Sequence, residues 1–71
     1  MKKQAAEDIS RMVEEVINQM QSLNNYALAN CEQPDLERIS RAIALCVGEL
    51  DIEILVPIHR EYPRLKPTFL P

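Results

Sequence analysis

Residues 34–55 read PDLERISRAIALCVGELDIEIL. At about 100° per residue, Leu36, Ile39, Ile43, Val47, Leu50 and Ile54 fall within one narrow arc, which predicts a helix from about Pro34 to about Leu55 with one apolar stripe. Leu45 and Ile52 fall on the reverse side, flanked by Leu55 and Val56. A helix that is apolar on two sides is buried on two sides. The chain has only 71 residues. At about this size a domain buries only about 60% of its unfolded surface and commonly relies on disulfides, a metal or a partner chain. The cover for the second side is therefore expected from another copy of the chain.

Working back toward the N-terminus, residues 5–30 read as the first helix. Ile9, Val13, Val16, Met20, Leu23, Ala27 and Asn30 alternate spacings of four and three, the seam of a heptad pattern, with Met12 and Ile17 widening it. Glu7, Arg11, Glu14, Asn18, Gln21 and Asn25 make the opposite face polar, and Glu7 and Arg11 form a favourable i,i+4 pair. Between the helices lies Asn30-Cys31-Glu32-Gln33-Pro34. Asn30 suits a left-handed C-cap, Pro34 suits the first position of a helix, and Asp35 and Glu37 place negative charge at the positive helix end. So short a connection makes the helices antiparallel neighbours. The predicted fold is all-α. A two-helix antiparallel hairpin over residues 1–56 dimerises into a four-helix bundle, with helix 2 inside and helix 1 outside. A Pro-rich basic tail follows over residues 57–71.

The dimer contact is expected around Arg38, Arg41, Leu45, Glu49, Ile52, Leu55 and Val56. Glu49 and Glu53 are like charges at i,i+4 near a helix C-terminus, where the dipole disfavours them. A partner's helix 2 crossing antiparallel near Leu45 sets Arg41 opposite Glu49 and Arg38 near Glu53. Ser40, Ala44 and Gly48 form a ridge of small residues, which reads equally as a close helix crossing, a shallow groove or a tolerated glycine.

The tail holds four of the five prolines, the only Phe and one of two Tyr. Pro57 either ends or kinks helix 2, and Ile58, Tyr62 and Leu65 keep a helical spacing that allows one short turn before Pro63. Arg60, Tyr62, Arg64, Lys66, Phe69 and Leu70 are its candidate binding residues. They read as a strap over the bundle, a docking segment for another protein, or an arm that grips phosphate.

The formal charge of −3 is unevenly spread. Lys2 and Lys3 give +2 at the start, residues 4–56 carry −7, and Arg60, Arg64 and Lys66 against Glu61 give +2 at the end. An acidic body repels phosphate and confines any nucleic-acid contact to the termini. One Gly in the chain disfavours a turn-rich β fold. Cys31 and Cys46 are expected to stand well over 10 Å apart, too far to bridge, with Cys46 a small core residue and Cys31 exposed. Neither a CxxC nor a Cys/His cluster is present, so no metal is expected. His59 has no nucleophile or carboxylate at useful spacing, and reads as a packing or surface residue. No cofactor and no membrane span are expected. The reading is a small cytoplasmic, non-enzymatic homodimer that binds another protein as adaptor or regulator. The alternative is a nucleic-acid-associated regulator acting through its basic ends.

Overall fold

The computed structural model describes residues 1–65, and all their regular structure is helical. Helix α1 spans Lys3–Asn30, α2 spans Asp35–Leu50, a π-turn covers Asp51–Leu55, α3 spans Val56–Glu61, and a 3-10 turn follows over Pro63–Leu65. The 28 residues of α1 amount to about 42 Å of helix at about 1.5 Å per residue, and the molecule is 44 Å long.

α1 ends without the left-handed cap expected at Asn30. None of the described residues has positive φ. Cys31 turns extended instead, and its N–H donates to the Ala27 carbonyl. The Asn30 side chain stays within the helix and donates to the Tyr26 carbonyl at 2.9 Å. Pro34 precedes α2 by one residue rather than opening it, and the Gln33–Pro34 peptide is cis. Asp35 and Glu37 lie in the first turn of α2 as expected, where negative charge favours the helix.

Helical structure continues past Pro57 to Glu61. In a regular α-helix the Pro57 ring would strike the carbonyl of residue 53, and the prolyl nitrogen could not donate to it. The wider π-turn just before Pro57 relieves this, with Val56 N–H donating to the Asp51 carbonyl five residues back. The extra residue in that turn shifts everything after it by about one position, or about 100°. Leu55, which straight α-helical counting places on the reverse flank, is thereby turned inward and buried, and Val56 is half-buried. Ile58 is buried as well, at 2% exposure, so the packed unit runs beyond the boundary read at residue 56.

Asn24 on α1 accepts a hydrogen bond from the Ser40 hydroxyl on α2 at 2.8 Å. At the other end, the Tyr62 hydroxyl donates to the Met1 carbonyl at 2.6 Å, and the Met1 amino group stands 4.0 Å from Glu61. Ile9 lies in the same cleft as Ile54, Pro57 and Ile58. The buried residues of α1 are Ala6, Ser10, Val13 and Ala27. This line shares Val13 and Ala27 with the expected seam but is rotated toward its small residues. Small side chains let two helix axes approach closely, whereas a reading by hydrophobicity alone favours the larger neighbours. Val16 and Leu23, both assigned to the seam, are 44% and 53% exposed.

The single chain holds little core. Among the described residues, only Ala6, Val13, Ala27, Leu55 and Ile58 are buried hydrophobics, and α2 has no buried residue at all. The radius of gyration is 14.4 Å, against about 11 Å for a compact domain of this length.

Candidate interaction surface

The inward stripe of α2 remains only half-covered: Leu36, Ile39, Ile43, Val47 and Leu50 are all of intermediate exposure. Its other sides carry Leu45 at 67% and, in the π-turn, Ile52 at 63% exposure. α1 adds a flanking line of Met12, Val16 and Leu23, each between 44% and 53% exposed. Scattered single apolar residues are ordinary on a protein surface, but contiguous patches mark contact sites. Val16 joins that flank to a shallow groove between the helices, where it and Met20 from α1 meet Leu45, Cys46, Leu50 and Ile54; the flank itself is interleaved with Glu15, Asn18, Gln19 and Ser22. The groove lining's two charged residues are Glu49 and Glu53, both exposed. Each Å² of such apolar surface removed from water contributes about 25 cal/mol.

Of the residues expected at a dimer contact, Arg38, Arg41, Leu45, Glu49 and Ile52 are exposed. Leu55 packs inside the single chain instead, because of the π-turn. Arg38 and Arg41 share a polar concavity with Pro34 and Glu37 at the start of α2. Arg38 pairs with Asp35 at 3.2 Å, an exposed contact of the kind that contributes little. Arg41, Glu49 and Glu53 form no ion pair among the described residues. On α1, Arg11 pairs with Asp8 at 3.6 Å rather than with Glu7.

The cysteines exchange their expected places. Cys46 is exposed on the groove and Cys31 is half-buried in the connection, and both are free thiols. The inward arc that one neighbouring helix can cover is narrower than the arc that includes Cys46. Gly48 makes no close crossing within the chain, since a Cβ added there would meet nothing within 4 Å. In the tail, Arg60 and Arg64 are exposed, and Tyr62 is half-buried and tied to Met1. Lys66, Phe69 and Leu70 lie outside the described residues.

Two polar groups stand apart from this surface. His59 Nε2 is buried and has no hydrogen-bond partner among the described residues. The Tyr62 phenol has its pKa raised above the ordinary 10.0, first by partial burial of the ring and then by the adjacent Glu61 carboxylate. Among the described residues, no group of three or more His, Cys, Asp or Glu side chains is placed to hold a metal ion, and no helix is long and apolar enough to cross a membrane.

The α1 flank was legible as part of an apolar seam but not as surface. Its exposure depends on which side of α1 the second helix takes, and only contacts distant in sequence decide that. No protein-family model, curated protein or solved structure matches the chain.

Proposed function

We propose that this chain is a small non-catalytic helical protein whose two helices form an antiparallel hairpin. Two hairpins associate as a homodimeric four-helix bundle in the cytoplasm. The dimer serves as a protein–protein interaction module, an adaptor or regulator. The observation that carries this reading is the absence of any buried residue in α2, a 16-residue helix with Leu, Ile and Val along its length. A helix this apolar is stabilised in water mainly by packing, and one neighbour within the chain covers it only partly. The exposed basic residues Arg60 and Arg64, with Lys66, Phe69 and Leu70 after them in sequence, are the part of the chain left to engage a further protein.

Solution mass by light scattering tests the assembly. A mass near twice 8.2 kDa is expected for the full chain, and a mass twice that of its own shorter chain for one ending at Leu65. A monomer at tens of micromolar would sink the proposal. Partner capture that requires residues 66–71 and persists in high salt supports the protein-binding role. Binding of RNA or DNA that collapses steeply with added salt would replace it with the nucleic-acid reading.

A further inference from the structure

We propose that residues 66–71 of the chain lie along its own groove between α1 and the end of α2, with Phe69 and Leu70 on the groove floor. This seat is independent of the dimer proposed above. It concerns the tail, which a further protein then has to lift before engaging it. Three observations carry the proposal: where the described chain stops, what lines the groove, and how far the remaining residues reach.

The first is the mouth of the groove. The groove continues toward α3, because Glu53 and Ile54 line both it and the cleft that Met1, Ile9, Ile58 and Glu61 share. Tyr62 leaves the helix there, at φ −129° and ψ 77°. Its hydroxyl bonds to the Met1 carbonyl, and the Leu65 N–H donates back to the Tyr62 carbonyl at 3.0 Å. The last described turn therefore stands beside the near end of the groove.

The second is complementarity. On the floor, Ile9, Met20, Leu50 and Ile54 are only half-buried. The charged side chains along it are Glu49, Glu53 and Glu61, all exposed, with no Lys or Arg in the lining. Glu53 forms no ion pair among the described residues, and neither does Arg64, which is exposed. The chain enters its tail with two cations, Arg64 and Lys66, and follows them with Phe69 and Leu70. Cations facing a carboxylate edge and apolar side chains facing an uncovered apolar floor are the two halves of one peptide-in-groove contact.

The third is reach. Pro67 disfavours α geometry at Lys66, so the segment starts out extended. From Leu65, Phe69 then reaches about 13 Å and Leu70 about 17 Å at about 3.3 Å per residue. Measured back along the helix from the level of Tyr62 at about 1.5 Å per residue, Ile54 lies about 12 Å away and Leu50 about 18 Å. Phe69 thus arrives at Ile54 and Leu70 at Leu50, with Arg64 and Lys66 on the Glu61 side of Glu53. Leu45, about 25 Å back by the same rise, stays beyond the tail and is left to the dimer contact.

The test reads the tail's position and its charge dependence separately. A nitroxide is attached at residue 71 (Pro71→Cys with Cys31→Ser and Cys46→Ser), and backbone amide intensities are measured by NMR. Within a labelled chain, Leu50, Glu53 and Ile54 are expected to lose most of their intensity while Leu36 and Glu37 keep theirs. When isotope-enriched chains without nitroxide are mixed with an excess of nitroxide chains without isotope, the loss is expected to be weaker. An equal loss in the mixture places the tail on a second copy and overturns the proposal, as do even intensities within the labelled chain. The chain has no Trp, so the fluorescence of Phe69→Trp reports the tail alone. Its emission is expected to be blue-shifted from that of a peptide of residues 63–71 with the same substitution, and to return toward it when Glu53→Lys is added. Glu37→Lys, at the far end of α2, is expected to leave it in place. Emission equal to the peptide's, or a response to Glu53→Lys no larger than that to Glu37→Lys, overturns the seat. Should Glu53→Lys cost the chain its helicity, the amide intensities decide. None of these outcomes bears on the solution mass, so the dimer reading stands or fails separately.

Discussion

The Nε2 atom of His59 is buried with no partner among the described residues, and an unmade hydrogen bond in a buried site costs about 1–3 kcal/mol. Replacing the imidazole by an apolar group removes that cost. His59→Leu is expected to stabilise the protein by about 1 kcal/mol in urea unfolding. A loss of stability would mean that the nitrogen is bonded in solution. Tyr62 gives a second residue-level expectation. Its raised phenol pKa means the folded state holds the proton more tightly than the unfolded chain. The associated stability is complete below pH 10 and is lost as pH rises through the higher folded value. Thermal unfolding midpoints between pH 8 and pH 11 should therefore fall more steeply for the parent than for Tyr62→Phe. Parallel profiles would show that the folded state holds the phenol proton no more tightly than the unfolded chain does.

At the scale of elements, the π-turn is the decisive feature. It reconciles Pro57 with continued helix and turns Leu55 inward, so that α3 can place Ile58 in the small core. The other element-level question is the ridge of Ser40, Ala44 and Gly48. Ser40 is used for the bond to Asn24, while Gly48 faces open space in the single chain. Glycine in a helix interior costs about 1 kcal/mol relative to Ala, so Gly48→Ala should raise the denaturation midpoint by a corresponding amount. If stability or affinity falls instead, a neighbouring copy's backbone packs against that position.

At the scale of the whole molecule, an elongated pair of helices with a thin core is marginal by itself. Association would supply the missing burial, and the charges around Leu45 offer a direct check on its geometry. Arg41→Glu should weaken dimerisation, with Glu49→Arg in the same chain restoring it. Sedimentation equilibrium of the parent, the single variant and the double variant provides the comparison. A double variant no tighter than the single would rule out the crossing near Leu45. The expected coupling falls with added salt, because all these side chains are exposed in the single chain and such contacts are screened.

Helical content, the break at residues 31–34 and the two-sided apolar character of α2 were legible in the sequence, because periodicity and local turn chemistry are properties of neighbouring residues. The sequence also exposed the conflict at Pro57, though not its resolution: ending, kinking and widening the helix all satisfy the proline locally. What the tertiary structure decided was rotation. The side of α1 that meets its neighbour is chosen by the small residues Ala6, Ser10 and Ala27, which permit close approach. That choice leaves Met12, Val16 and Leu23 outside. The π-turn made the corresponding choice for Leu55 and, with the narrow cover from a single neighbour, Cys46 stayed on the surface. A hydrophobic pattern specifies that a face must be covered. Only the packing of distant residues specifies which part of that face the chain itself can cover.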